Sequence, residues 1–149
     1  MAYQLASADI AHALDALASD HERIARALAQ VGYPEERRRD HSFATLARII
    51  VGQQVSVAAA ASITRKLVDT LGGDLTATSV LNSPEEDLRG AGLSRQKVSY
   101  MQSLATAEAS GQLSLTTLST LSDDEATAAI TAINGFGEWS AHMYLMFSL

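Results

Sequence analysis

The chain contains no cysteine. That excludes a disulfide, a thiolate zinc site and a cysteine-held iron–sulfur cluster. No run approaches the roughly eighteen apolar residues that a membrane-spanning helix needs. Residues 1–18 carry Asp9 and Asp15 and no basic residue ahead of the apolar ones, so neither a membrane partner nor a signal peptide is expected, and the cytoplasm is the expected compartment. Basic residues are scarce: 11 Lys and Arg stand against 17 Asp and Glu, a net charge of −6 and a pI near 5.1. All of them lie between Arg23 and Lys97, and residues 98–149 have none. A protein that grips nucleic acid by bulk charge neutralises many phosphates, so that mode is excluded. Any anion held by the C-terminal third must be held by main-chain amides. The four histidines, His12, His21, His41 and His142, show no H-x-x-x-H spacing, and no phosphate loop, nucleophile elbow or dinucleotide fingerprint occurs.

What is present is helical. With 47% hydrophobic residues and a mean hydropathy of +0.04, residues 1–149 can build a single helical domain with an ordinary core. No stretch alternates with period two over a strand's length, so the fold class is all-α, about eight to ten short helices. Ser7 and Asp20 are the expected caps of two opening amphipathic helices, the second ending at Gly32. The run E-E-R-R-R-D at residues 35–40 has no apolar member and reads as a solvated loop. Ser42 and Ser56 cap the next two helices, with Gln53, Gln54 and Val55 as the turn between them. Ser83 with Pro84 starts another, Ser94 caps a longer one that runs to Gly111, and residues 113–121 form a short connector.

Residues 122–149 read S-D-D-E-A-T-A-A-I-T-A-I-N-G-F-G-E-W-S-A-H-M-Y-L-M-F-S-L. Ser122 and Glu125 form a capping box for a helix carrying Ile130 and Ile133, and this explains the acidic trio without catalysis. Asn134-Gly135-Phe136-Gly137 breaks that helix, and Glu138 opens another. Two glycines around one apolar residue allow a tight turn with positive φ, whose amides converge with those of the following helix start on a point where an anion can sit. On Gly-x-Gly alone, a bare αα-corner is the better reading.

The neighbours change that. The stretch I-x-G-x-G-x-W-S-A-x-M-Y-L resembles the helix-hairpin-helix element of the base-excision DNA glycosylases, specifically the 3-methyladenine DNA glycosylase II branch. Residues 43–67, F-A-T-L-A-R-I-I-V-G-Q-Q-V-S-V-A-A-A-A-S-I-T-R-K-L, look like that branch's I-I-x-G-Q-Q block, and Gly92-Leu93-Ser94-Arg95-Gln96-Lys97 looks like its G-L-S-x-x-K turn. The three motifs follow the family's order.

The resemblance implies hydrolysis of the N-glycosidic bond of alkylated purines in double-stranded DNA during base excision repair, by a monomer working on nucleoid DNA of bacterial type. It implies DNA contact at Gln53, Gln54, Gly135, Phe136, Gly137 and Ser140, with Gln54 filling the gap left by a flipped nucleotide. It implies a base pocket at Trp139, which stands where lyase-competent relatives place a nucleophilic lysine. An indole forms no Schiff base, so the expected reaction leaves the strand uncut. It further implies a monovalent cation on the main-chain carbonyls of Thr131, Ile133 and Phe136, and no other cofactor. The missing cysteines set the chain apart from iron–sulfur relatives. The family's catalytic Asp follows the Trp position by about twenty residues. Leu149 lies ten residues past Trp139. The chain therefore looks truncated, lacking the Gly/Pro-rich Asp loop and closing helices, with Tyr144, Leu145, Met146 and Phe147 expected to be left uncovered. A non-catalytic helix-hairpin-helix DNA-binding module or an inactive remnant is the alternative.

Overall fold

The computed structural model describes residues 6–149. Among them are ten helices and no strand. The described residues form two compact units, one of residues 6–39 with 146–149 and one of residues 40–145.

In the first unit α1 (Ser7–Asp20) packs on α2 (Glu22–Val31), and neither buries a residue fully. The caps differ from those expected. Ser7 is the first helical residue rather than the cap, and its amide and hydroxyl both donate to Glu36 Oε2, at 3.0 and 3.2 Å. A carboxylate at the positive end of a helix is favourable, so the charged run at residues 35–40 supplies the cap and is not merely solvated. Asp20 stays in α1 because one extended residue, His21, separates the two helices, and the Asp20 carboxylate accepts from Ser19 Oγ instead of capping α2. Tyr33 Oη donates to Asp15, and this bond pushes the phenol pKa up. The Arg39 amide donates to Phe147 O at 2.7 Å, and its guanidinium lies 5.8 Å from the Phe147 ring centroid.

The second unit holds the core. The helix α3 (Phe43–Gly52) is capped by Ser42, whose Oγ accepts from the Thr45 amide, and it buries Leu46, Ile50 and Val51. It packs against α4 (Val57–Thr70), capped by Ser56, and against α7 (Arg95–Ala109), capped by Ser94. The five-residue α5 (Ala77–Leu81) has a Thr76–Ser79 capping box and buries Val80 against α7. Helix α6 (Glu85–Gly90) follows Pro84, which is the flanking residue and not the first helical one. Ser83 does not cap it, because its hydroxyl is spent on Ser79 O at 2.9 Å. Helix α8 (Leu115–Leu118) is the short connector, and α9 (Asp123–Thr131) carries the Ser122–Glu125 capping box as expected. The Ser122 hydroxyl and amide both donate to Glu125 Oε2, at 2.7 and 2.9 Å, and hold the Glu125 carboxyl below its ordinary range.

Helix α10 (Glu138–Ser148) brings the one clear departure in the core. Tyr144, expected to be left uncovered, is completely buried. Its hydroxyl bonds His41 Nδ1 at 2.8 Å, and His41 Nε2 bonds Leu115 O at 2.6 Å. A carbonyl only accepts, so Nε2 carries a proton, and in the neutral form of the ring Nδ1 accepts and Tyr144 donates. This chain of bonds ties α10 to α8 and to the start of α3. Burial is the main cause that raises the Tyr144 pKa well above the ordinary phenol value. Met146, by contrast, is 52% exposed, as expected.

Candidate nucleic-acid interface

Helix α9 ends at Thr131 with Ala132 as its C-cap, and the chain reverses over Ile133 to Gly137 before α10 begins. The turn is anchored from inside: Ile133 and Phe136 are both buried, and the Phe136 amide donates to Ile133 O at 3.2 Å. Gly135 sits at φ 98°, where a side chain is strained. A Cβ there would also lie 2.3 Å from Cγ of Tyr100 on α7, so the ring's close approach admits only glycine. Gly137 differs from expectation on both counts. Its φ is not positive, and a Cβ built on it meets nothing within 4 Å. The fold needs Gly135; Gly137 leaves open space beside the hairpin.

The amides around that space are unspent. Ala141 N donates to Gly137 O at 3.1 Å, the first bond of α10. Among the described residues, the amides of Gly135, Gly137, Glu138, Trp139 and Ser140 donate to no recorded acceptor. Those from Gly137 onward are the unpaired donors of a helix start, where the backbone dipoles favour an anion. The Glu138 carboxylate complements the same dipole, and it would repel a polyanion.

Two residues expected to reach a partner are placed elsewhere. Phe136 is 6% exposed and Ser140 5%, so both side chains face inward and what they offer outward is main chain. Trp139 between Ser140 and Glu138 is 68% exposed, the reverse of a core tryptophan. His142 is exposed as well.

The turn between α3 and α4 is the second part of the site. Gln54 is exposed and has φ 56°, the only positive value at a non-glycine among the described residues. Gln53 behaves differently from its neighbour: its Nε2 donates to Gly135 O at 2.8 Å, so it faces the hairpin. Lys97 Nζ donates to Val51 O, in the last turn of α3, at 2.7 Å, a cation at the negative end of a helix. Burial lowers the Lys97 pKa from its ordinary value. The three sequence motifs thus converge: the Gln turn, the start of α7 and the hairpin meet within hydrogen-bond distance. Tyr100 and the bracing role of Lys97 and Gln53 were not legible in the spacing, since each depends on which helices become neighbours.

For a cation, the main-chain oxygens of Thr131, Ile133 and Phe136 are neutral donors of the right chemistry, and Ile133 O keeps a lone pair beyond its bond to the Phe136 amide. The Thr131 hydroxyl is turned back onto Thr127 O at 2.8 Å and contributes nothing there. No cluster of three or more His, Asp or Glu side chains that could hold a metal occurs among the described residues.

A family model for HhH-GPD superfamily base excision DNA repair proteins matches residues 47–138, which contain the Gln turn, the start of α7 and the hairpin. The chain belongs to that superfamily. The chain is 26% identical over 139 residues to DNA-3-methyladenine glycosylase 1 of Schizosaccharomyces pombe, covering 91% of this chain and 61% of that relative. It superposes on the crystal structure of DNA-3-methyladenine glycosidase from Bacillus halodurans with a TM-score of 0.77 at 30% identity, covering 87% of this chain and 60% of the other. The Schizosaccharomyces pombe 3-methyladenine DNA glycosylase in complex with abasic DNA gives a TM-score of 0.78 at 28% identity, over 87% of this chain and 66% of that one. The chain therefore spans less than two thirds of these relatives, and the fold is that of the helix-hairpin-helix glycosylases. Among the described residues no helix is long and apolar enough to cross a membrane.

Proposed function

We propose that this chain carries the DNA-holding and base-holding part of a monofunctional DNA-3-methyladenine glycosylase of base excision repair, acting on alkylated purines in double-stranded DNA. One observation supports it above the others: the unspent amides at 137–140, the exposed Trp139 and the exposed Gln54 turn are braced into one surface through Gln53 and Gly135. The amides would hold a phosphate, which fixes register without reading sequence. This is the local grip that a net charge of −6 requires. A monovalent cation on the carbonyls of Thr131, Ile133 and Phe136 would stiffen the same turn.

The damaged nucleotide leaves the stack at a cost of a few kcal/mol, least for bases that already pair badly, and Gln54 fills the space. Trp139 offers its indole face to the base. A purine alkylated to a cation gains about 0.5–2 kcal/mol over an indole, a modest preference for damage. Such a base is a good leaving group, so the reaction chiefly needs a carboxylate facing the sugar cation as it develops. No residue of this chain is assigned that role. That carboxylate is expected about twenty residues after Trp139, as the resemblance implies, and Trp139 itself supplies no amine for strand cleavage.

The test is release of free 3-methyladenine from alkylated duplex. The 149-residue chain is expected to release traces at most, and a chain lengthened by a segment carrying Asp at the family's spacing to gain about a hundredfold or more. Equal rates for the two would refute a carboxylate outside these residues.

A further inference from the structure

Three elements of the second unit meet at one glycine. Gln53 Nε2, on the α3–α4 turn, donates to Gly135 O at 2.8 Å, and Tyr100, on α7, packs so closely on Gly135 that no Cβ fits. Gln96 Nε2 holds the Tyr100 hydroxyl at 2.5 Å. On the other side of Gln53, Lys97 Nζ fixes Val51 O at 2.7 Å. The turn is thus restrained at both ends of a short stretch, and the residue after Gln53 is the one with φ 56°. A side-chain-bearing residue keeps such a backbone conformation only where its surroundings over-determine it.

We propose that Gln53 is a positioning residue for Gln54: its bond to Gly135 O locks the left-handed turn and sets Gln54 at a fixed place relative to the hairpin amides. The inference rests on the DNA reading above. A duplex held at the hairpin then meets the Gln54 backbone already in register, so that only its side chain is left to order on binding. Preorganisation of this kind raises affinity for the complex that uses it and for no other. Only a duplex with a gap uses Gln54. Losing the Gln53 bond should therefore weaken binding to a gapped duplex and spare an intact one.

A double-mutant cycle on the 149-residue chain tests this, read by fluorescence anisotropy on a duplex containing a tetrahydrofuran abasic-site analogue and on the same duplex intact. Gln53→Leu keeps the volume and removes the donor. It is expected to lower affinity for the abasic duplex about fivefold, to change the intact duplex by no more than about twofold, and to cost nothing further in a Gln54→Ala background. Additive losses, or equal losses on both duplexes, would overturn the positioning role. Should Gln53→Leu fail to fold by circular dichroism, Gln53→Glu replaces it, since an ionised carboxylate cannot donate to Gly135 O. Unchanged abasic-duplex affinity in that variant also overturns the proposal. If the wild-type chain binds neither duplex, the DNA reading itself fails and this inference falls with it.

Discussion

The two units of this chain are built from similar-looking helices and end up different in kind. In the first, α1 and α2 present apolar residues at helical spacing, yet Leu17 is 45% exposed and Val31 81%, and no residue of either helix is fully buried. In the second, Leu46, Ile50, Val51, Leu67, Leu88, Met101, Leu104 and Ile130 are each wholly excluded from solvent. Periodicity makes a helix amphipathic, but a core needs apolar faces from several elements that cross one another. Helices α3, α4, α6 and α7 supply that crossing, and a two-helix pair cannot. The contacts that join segments of the first unit beyond the α1–α2 pair are polar: Glu36 on the start of α1, Tyr33 on Asp15, and the Arg39 amide on Phe147 O. The residues proposed to meet DNA, Gln54, Trp139 and the hairpin amides, all stand on the unit with the core, where fixed geometry is available.

The largest expected difference between the units is in what a truncated leucine costs. Leu104→Ala on α7 should destabilise by about 2–5 kcal/mol, because the surrounding helices cannot close the cavity. Leu28→Ala on α2, a half-exposed position, should cost about 1 kcal/mol or less. Urea denaturation followed by circular dichroism measures both. Equal costs would mean that the first unit is as tightly packed as the second.

A smaller effect probes how α10 is fastened. Tyr144→Phe removes the donor to His41 Nδ1 and should cost about 1–2 kcal/mol at neutral pH. Tyr144 also has a pH signature. Its pKa in the folded chain is raised above the 10.0 of an ordinary phenol, so the stability it contributes is complete below pH 10. As the pH rises beyond that value, the unfolded chain loses the proton first and stability falls, until the folded tyrosine ionises too. Tyr144→Phe should flatten this alkaline loss of stability, seen as a melting temperature less sensitive to pH above 10.

Much of this was legible in the sequence, and what was not has physical reasons. Serines 42, 56, 94 and 122 announce their helices because each hydroxyl meets an amide three residues on, a purely local event. Ser7 and Ser83 look the same in sequence, but Glu36 and Ser79 O compete for their hydroxyls, and that competition arises only on folding. Helix α5 is too short to show a period, although Thr76 and Ser79 mark its start. The motifs of the site could be read from residue types; their convergence could not. Gln53 and Gln54 are adjacent and identical, yet one turns to Gly135 O and the other to solvent, a split decided by the backbone at Gln54. The burial of Tyr144 depends on His41 and Leu115, which lie 103 and 29 residues earlier in the chain.

The two hairpin glycines bring the central claim to a single measurement. Gly135 is demanded by the fold, through its φ of 98° and the Tyr100 ring, whereas at Gly137 the protein itself leaves room for a side chain. If the amides at 137–140 hold a DNA phosphate, the room at Gly137 is for that phosphate. The decisive measurement is a fluorescence anisotropy titration of duplex DNA with the Gly137→Val chain, its fold first confirmed by circular dichroism. The variant is expected to melt like the parent and to lose duplex affinity by a factor of about ten or more, because a close main-chain contact is blocked. A folded Gly137→Val chain that binds duplex as tightly as the parent would contradict that contact, and would leave the hairpin as a corner that only turns the chain.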